Sequence, residues 1–136
     1  MTDKQALSRP VGWWLKEADA RLDAAFDRSL VGRNVDRRGW QILASLARSP
    51  TRRTDVSAFL AAFDSPTAIE ATLSRLISTG WIEESAGLLR LTLEGEQQHA
   101  DLAPLVDDVR GRVARALPQE DYVTLIRLLE RLAAAL

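Results

Sequence analysis

Apolar residues recur at helical spacing along most of the chain, and Gly, Pro and small polar residues mark the breaks. From Val11 to Leu30, the positions Val11, Trp14, Leu15, Ala18, Leu22, Ala25, Phe26 and Leu30 form one stripe. Lys16, Glu17, Asp19, Arg21, Asp23 and Arg28 mostly fall off it. Pro10 suits the first turn, and Gly32-Arg33-Asn34 reads as a stop. Such a helix is about 30 Å long. Asp36 is placed to cap a second helix that ends at Ser49-Pro50, with Trp40, Leu43, Ala44 and Ala47 on one face. Thr54 reads as the cap of a short third helix, Asp55 to Phe63. Asp64-Ser65-Pro66 is a turn and a new start, and the fourth helix runs to about Thr79 before Gly80. Its apolar face is Ile69, Leu73, Leu76 and Ile77. Its outward face is Thr67, Ala71, Ser74, Arg75 and Ser78, with Glu70 on the flank.

Two short strand-like pieces follow, Trp81 to Glu84 and Leu88 to Thr92, separated by Ser85-Ala86-Gly87 as in a small hairpin. Thr92 can cap a long fifth helix to about Leu117, with Pro104 predicting a kink or break inside it. Pro118 opens a last helix in which Tyr122, Leu125, Ile126, Leu129, Leu132, Ala133 and Leu136 repeat. The expected fold is mainly α. A winged helix-turn-helix module spans 36–92, with a short two-stranded wing. An N-terminal helical arm (1–35) precedes it and two C-terminal helices (93–136) follow. A helix presenting small polar side chains fits the major groove, and helix N-termini and Arg groups hold phosphates.

Composition narrows the alternatives. The 136 residues are 46% hydrophobic and 27% charged, in the globular range. There is no Cys, which excludes disulfides and thiolate chemistry, and only one His, His99. No metal site, cofactor or Gly-rich phosphate loop is called for, and an enzyme is the weaker class. Asp107 and Asp108 are adjacent on a helix and face different directions. No apolar run reaches the ~20 residues that span a bilayer, and the first ten residues have no signal-peptide core; no membrane association and a cytoplasmic location are expected. The formal net charge is -1, from 18 bases and 19 acids, and 16 of the bases are Arg. The charge is uneven: residues 1–35 carry +1, 36–92 carry +1 and 93–136 carry -3. Most of the acidity lies outside the DNA-binding module.

The chain resembles a MarR-type transcriptional regulator over nearly its whole length. The resemblance is carried by Val11-Gly12-Trp13-Trp14-Leu15, by Val35-Asp36-Arg37-Arg38-Gly39-Trp40-Gln41-Ile42-Leu43, by Ser65 to Ile82 with its Leu-x-x-Leu-x-x-x-Gly-Trp-Ile ending, and by Arg90-Leu91-Thr92-Leu93-Glu94-Gly95. It implies a homodimer that binds double-stranded DNA, acts as a repressor and is relieved by a small aromatic effector. In the family a longer wing carries an Asp-x-Arg motif and an Arg at its tip. Here Glu83 and Glu84 flank the short turn, and Arg90 is the sole base of the hairpin.

The candidate DNA contacts are Ser65, Thr67, Ala68, Ala71, Ser74 and Arg75 at the bases and the helix start, with Arg48, Arg52, Arg53 and Arg90 on phosphates. Trp13, Trp14, Trp40 and His99 are the candidates for a ligand pocket. Val11, Leu105, Val109, Val113, Tyr122, Leu125, Leu129, Leu132 and Leu136 are the candidates for the dimer interface, since the final helix carries more apolar residues than one module needs. The competing reading is a winged-helix protein-interaction module with weak or no DNA binding, favoured by the near-neutral charge and the acidic wing.

Overall fold

The computed structural model describes residues 3–136. A short helix α1 (Asp3–Leu7) leads into α2 (Val11–Ser29), which stops at Leu30 before Gly32 and Asn34 turn the chain with positive φ. Helix α3 (Arg37–Arg48) is capped by Asp36, whose carboxylate accepts from the Gly39 N–H at 2.9 Å. Then come β1 (Thr51–Arg52), α4 (Arg53–Leu60), α5 (Pro66–Ser78), β2 (Ile82–Ser85), β3 (Leu88–Leu91), α6 (Leu93–Ala116) and α7 (Gln119–Ala135). This is a mainly helical winged helix-turn-helix with long helices before and after it.

The wing is three-stranded where two strands were expected. Thr51 and Arg52 pair antiparallel with Leu89 and Leu88, giving the strand order β1-β3-β2. The Arg53 N–H extends the pairing by donating to the Gly87 carbonyl at 2.9 Å. Consequently α4 starts at Arg53, ahead of the expected cap at Thr54, and it ends at Leu60 rather than Phe63. The hairpin turn is also tighter than expected. Ala86 (φ 51°) and Gly87 (φ 79°) form a two-residue turn with both central residues left-handed, which matches the twist of the flanking strands.

Pro104 breaks nothing: α6 is one 24-residue helix. The proline removes one backbone N–H donor, but Leu102, Val106 and Val109 on either side of it are buried and hold the helix in place. The core joins Trp40, Ile42, Leu43 and Leu46 of α3 to Val56 and Leu60 of α4 and Ile69, Leu73 and Leu76 of α5. It also takes in Leu89 of β3, Leu102 and Val106 of α6, and Leu30 after α2. The first half of α6 therefore belongs to the same packed unit as residues 36–92.

Outside that unit the packing thins. Helix α7 has no buried residue, and Tyr122, Leu125, Ile126 and Leu128 are exposed on it. A groove of about 480 Å³ lies where α2, α6 and α7 meet, between Leu22, Phe26, Val113, Leu117 and Tyr122. Among the described residues no helix is long and apolar enough to cross a membrane.

Candidate nucleic-acid interface

Local sequence fixes the start of α5. The Asp64 carboxylate accepts from the Ser65 N–H at 2.9 Å, the Ser65 hydroxyl accepts from the Ala68 N–H at 3.2 Å, and Pro66 occupies the first helical position. Ile69, Leu73 and Leu76 are buried against α3 and α4, and Thr72 is buried beside them, its hydroxyl donating to the Ala68 carbonyl. The opposite side is left to solvent. Thr67, Ala71, Ser74, Arg75 and Ser78 are exposed on it, together with Ser65 before the helix and Glu70 at its edge; Ala68 is half-buried. Small side chains in the centre of this face leave room for close approach to base edges.

The arginines divide into two groups. Arg48, Arg52, Arg75 and Arg90 are exposed and have no ion-pair partner among the described residues. Arg52 lies on β1, at the edge of the sheet that carries Arg90 on β3. Arg75 borders the hollow beside Asn34, Val35 and Asp36, on the flank of α5 away from the wing. Arg53 corrects the expectation of a free phosphate ligand. One terminal nitrogen pairs with Glu70 of α5, and the other donates to both carboxylate oxygens of Glu84 in β2, at 3.1 and 3.2 Å. The Glu70 hydrogen bond is the largest cause of the raised Arg53 pKa, and partial burial opposes it. The guanidinium ties α4, α5 and the wing together instead of standing open.

Arg37 and Arg38 form a second anchored pair. Arg37 donates to Asp19 and Asp23 of α2, both at 2.9 Å. Arg38 is buried, donates to Gln41 at 2.6 Å, and lies 3.5 Å from the carboxylate of Asp64 at the start of the α5 cap. Its Nε has no hydrogen-bond partner. This network links the N-terminal arm to the turn that launches α5.

The four expected pocket residues are not brought together. Trp13 and Trp14 pack edge-to-face at the start of α2; Arg9 stacks on Trp13, and the Trp14 ring N–H donates to the Ala6 carbonyl. Trp40 instead stacks flat on His99, with ring centroids 4.9 Å apart. Burial and the nearby Arg110 lower the His99 pKa. Trp40 does border a cavity of about 400 Å³ between α2, α3, α4 and α6, lined by Phe26, Phe59, Arg37, Arg48 and Arg110. Those lining residues are scattered over four helices, and no local motif in the sequence points to them.

The expected interface residues divide as well. Val109 is buried within the chain itself, where α2 packs on α6, and so presents no surface; Leu105 packs against the core and Val113 is half-buried. Val11, Tyr122, Leu125 and Leu136 are exposed, and Leu129 and Leu132 are half-covered.

These elements define a winged helix-turn-helix fold with flanking helical arms. In particular, the chain matches a probable transcriptional regulator from Pseudomonas aeruginosa at TM-score 0.76 and 23% identity, over 93% of this chain and 98% of that one. It matches a mutant MarR from E. coli complexed with operator DNA at TM-score 0.75 and 21% identity, over 96% and 99%. It matches NadR in complex with 4-hydroxyphenylacetate at TM-score 0.74 and 24% identity, over 93% and 96%. No protein-family model and no curated protein matches it in sequence.

Proposed function

We propose that the chain is a MarR-type transcriptional regulator, a homodimer that binds double-stranded DNA sequence-specifically and represses transcription. The observation that carries the reading is the face of α5: Thr67, Ala71, Ser74 and Arg75 stand exposed on a helix whose other side is locked into the core. Arg75 offers a bidentate donor to guanine, and Arg48, Arg52 and Arg90 are free to hold phosphates. The apolar face of α7 supports pairing with a second copy, because a monomer would leave Tyr122, Leu125 and Ile126 in water. Two copies of α5 then read half-sites about 34 Å apart. The fold is shared with a MarR complexed with operator DNA. On this reading residues 1–35 and 93–136 are the dimer arms around a DNA-binding module at 36–92.

A small aromatic carboxylate is the effector class that fits the cavity between α2, α3, α4 and α6. Phe26, Trp40 and Phe59 supply ring surfaces, and Arg110 supplies charge for a carboxylate. Its occupation would alter the packing of α2 and α6 on the DNA module and so the spacing of the two α5 helices.

The test is duplex binding as a function of salt. Three free phosphate-holding arginines per protomer give up to six contacts per dimer, hence a slope of log K against log salt of about -5. A flat or undetectable response sinks the regulator reading in favour of a protein-interaction module, for which the exposed Glu70, Glu83 and Glu84 around the wing are the supporting observation.

A further inference from the structure

The carboxylate of Glu70 stands where a base-reading group would stand, at the edge of the α5 face nearest the wing. It lies in the second turn, one helical step from Thr67 and from Ser74, in the half of a recognition helix that meets base edges. About half of the side chain is exposed. An acid on a DNA-facing surface is unfavourable against phosphate unless a cation neutralises it or a base donor uses it. Arg53 neutralises it and does something more selective. Its guanidinium takes only Oε2 of Glu70, leaving Oε1 without a hydrogen-bond partner among the described residues. The same guanidinium is held from the other side by both oxygens of Glu84, and the Arg53 backbone N–H is fixed to Gly87 in the wing turn. A long, flexible acid side chain is thus anchored in one direction with one acceptor oxygen free.

Resting on the DNA-binding reading above, we propose that Glu70 is a specificity-determining residue. Its free oxygen accepts a hydrogen bond from the exocyclic N4 amine of a cytosine in the major groove, and Arg53 is the residue that positions it. Cytosine is the base that matches: its major-groove edge offers a donor and no ring-nitrogen acceptor, which suits an acceptor-only group. Guanine is excluded at that position, since its O6 and N7 would face the carboxylate with acceptors. Arg75 on the opposite flank of α5 takes the complementary role at guanine, so the two edges of one helix read the two strands of G·C-containing half-sites.

The experiment is selection of bound duplexes from a random pool by the full-length chain, followed by affinity measurement on the enriched duplex. Wild type should enrich one C per half-site that Glu70→Gln changes to A, since Gln pairs with adenine N6 and N7. Replacing that cytosine by 2-pyrimidinone, which lacks the N4 amine, should cost wild type about tenfold in affinity and Glu70→Ala nothing. Arg53→Ala should blur the preference at that base pair alone, and Arg53→Lys should partly restore it. Equal effects of the base analogue on wild type and Glu70→Ala would overturn the proposal. So would unchanged motifs with uniformly tighter binding by Glu70→Gln, the behaviour of an acid that merely repels phosphate. Uniform weakening by Arg53→Ala at every position would remove its positioning role. If wild type enriches no sequence, the DNA-binding reading itself fails, a different outcome from enrichment that Glu70 does not alter.

Discussion

Gly95 gives the sharpest test of how the wing is seated. It lies in the first turn of α6, where the chain returns from β3, and its N–H donates to the hydroxyl of the capping Thr92 at 3.0 Å. A Cβ at this position would stand 1.9 Å from the carbonyl oxygen of Trp81 and 2.9 Å from its carbon. Ordinary contact begins near 3.4 Å, so Gly95→Ala demands a separation of about 1.5 Å between two stretches of backbone. Neither stretch is free to give. The Trp81 carbonyl already accepts from the Thr92 N–H at 3.1 Å, and the Thr92 hydroxyl donates to the Gly80 carbonyl at 2.5 Å. Overpacking costs about 1–3 kcal/mol, and a backbone obstacle belongs at the upper end. Alanine returns about 1 kcal/mol as the better helix former, for a net loss of about 2 kcal/mol. Gly111 is the control in the same helix: only the tip of Arg115 comes near its Cβ position, at 3.4 Å. Gly111→Ala should therefore stabilise by up to about 1 kcal/mol. Urea unfolding at one fixed protein concentration measures both. If Gly95→Ala unfolds within about 0.5 kcal/mol of wild type, or moves in the same direction as Gly111→Ala, the close approach of α6 to Trp81 is not a constraint on the fold.

Three further outcomes are expected. If the proposed dimer forms through α7, Leu125→Glu on its exposed face should split it, weakening association by about 2–4 kcal/mol; sedimentation that shows an unchanged mass would remove α7 from the interface. His99 has a lowered pKa in the folded state, so the unfolded chain binds more protons between the two pKa values. Stability should be fully present above the ordinary His value near 6.5 and decline as pH falls toward the lower folded value, and His99→Gln should flatten that limb of a pH-stability profile. Asp64→Asn should destabilise more than Arg38→Met. The first leaves a buried guanidinium short of its nearer carboxylate, for about 1–2 kcal/mol with Asp64 part-exposed, whereas the second removes the charge together with its need for a partner. The reverse order in thermal unfolding would show that Arg38 is held by Gln41 and Asp23 alone.

The fold was legible wherever pattern is local. The stripes that set α2, α3, α5 and α7, the caps Asp36, Ser65 and Thr92, and the exposed face of α5 follow from spacing and from side chains within a few residues. Two misses have one cause: Thr51-Arg52 is too short to show alternation, and it is a strand only because Leu88 and Leu89 are there to pair with it. That pairing also moves the start of α4. Exposure on the candidate face was legible in the same way. Arg75 and Thr67 were read from helix periodicity, but the engagement of Arg53 depends on Glu70 and Glu84, which are 17 and 31 residues away. The burial of Val109 depends on how α2 lies across α6, which no repeat along α6 can reveal.

The charge pattern acquires a meaning once the partners are known. The winged module at 36–92 carries seven arginines against six acids, which taken alone describes a surface with little pull on a polyanion. Three of the seven are not surface charges in function: Arg37 and Arg38 are paired to α2 and to Asp64, and Arg53 is paired to Glu70 and Glu84. Removing these arginines together with the acids of the module that they engage leaves Arg48, Arg52, Arg75 and Arg90 against Asp36, Asp55 and Glu83. The long-range field stays weak either way, so steering and non-specific affinity are small. What the paired arginines supply is position. Each adds a directional contact between elements, where apolar packing fixes distance better than direction. Helix α5 is held at its cap by the Arg38–Asp64 contact, and on its wing-side edge Arg53 fixes the Glu70 side chain in one geometry. On the DNA-binding reading proposed above, discrimination between base pairs rests on that geometry rather than on the summed charge.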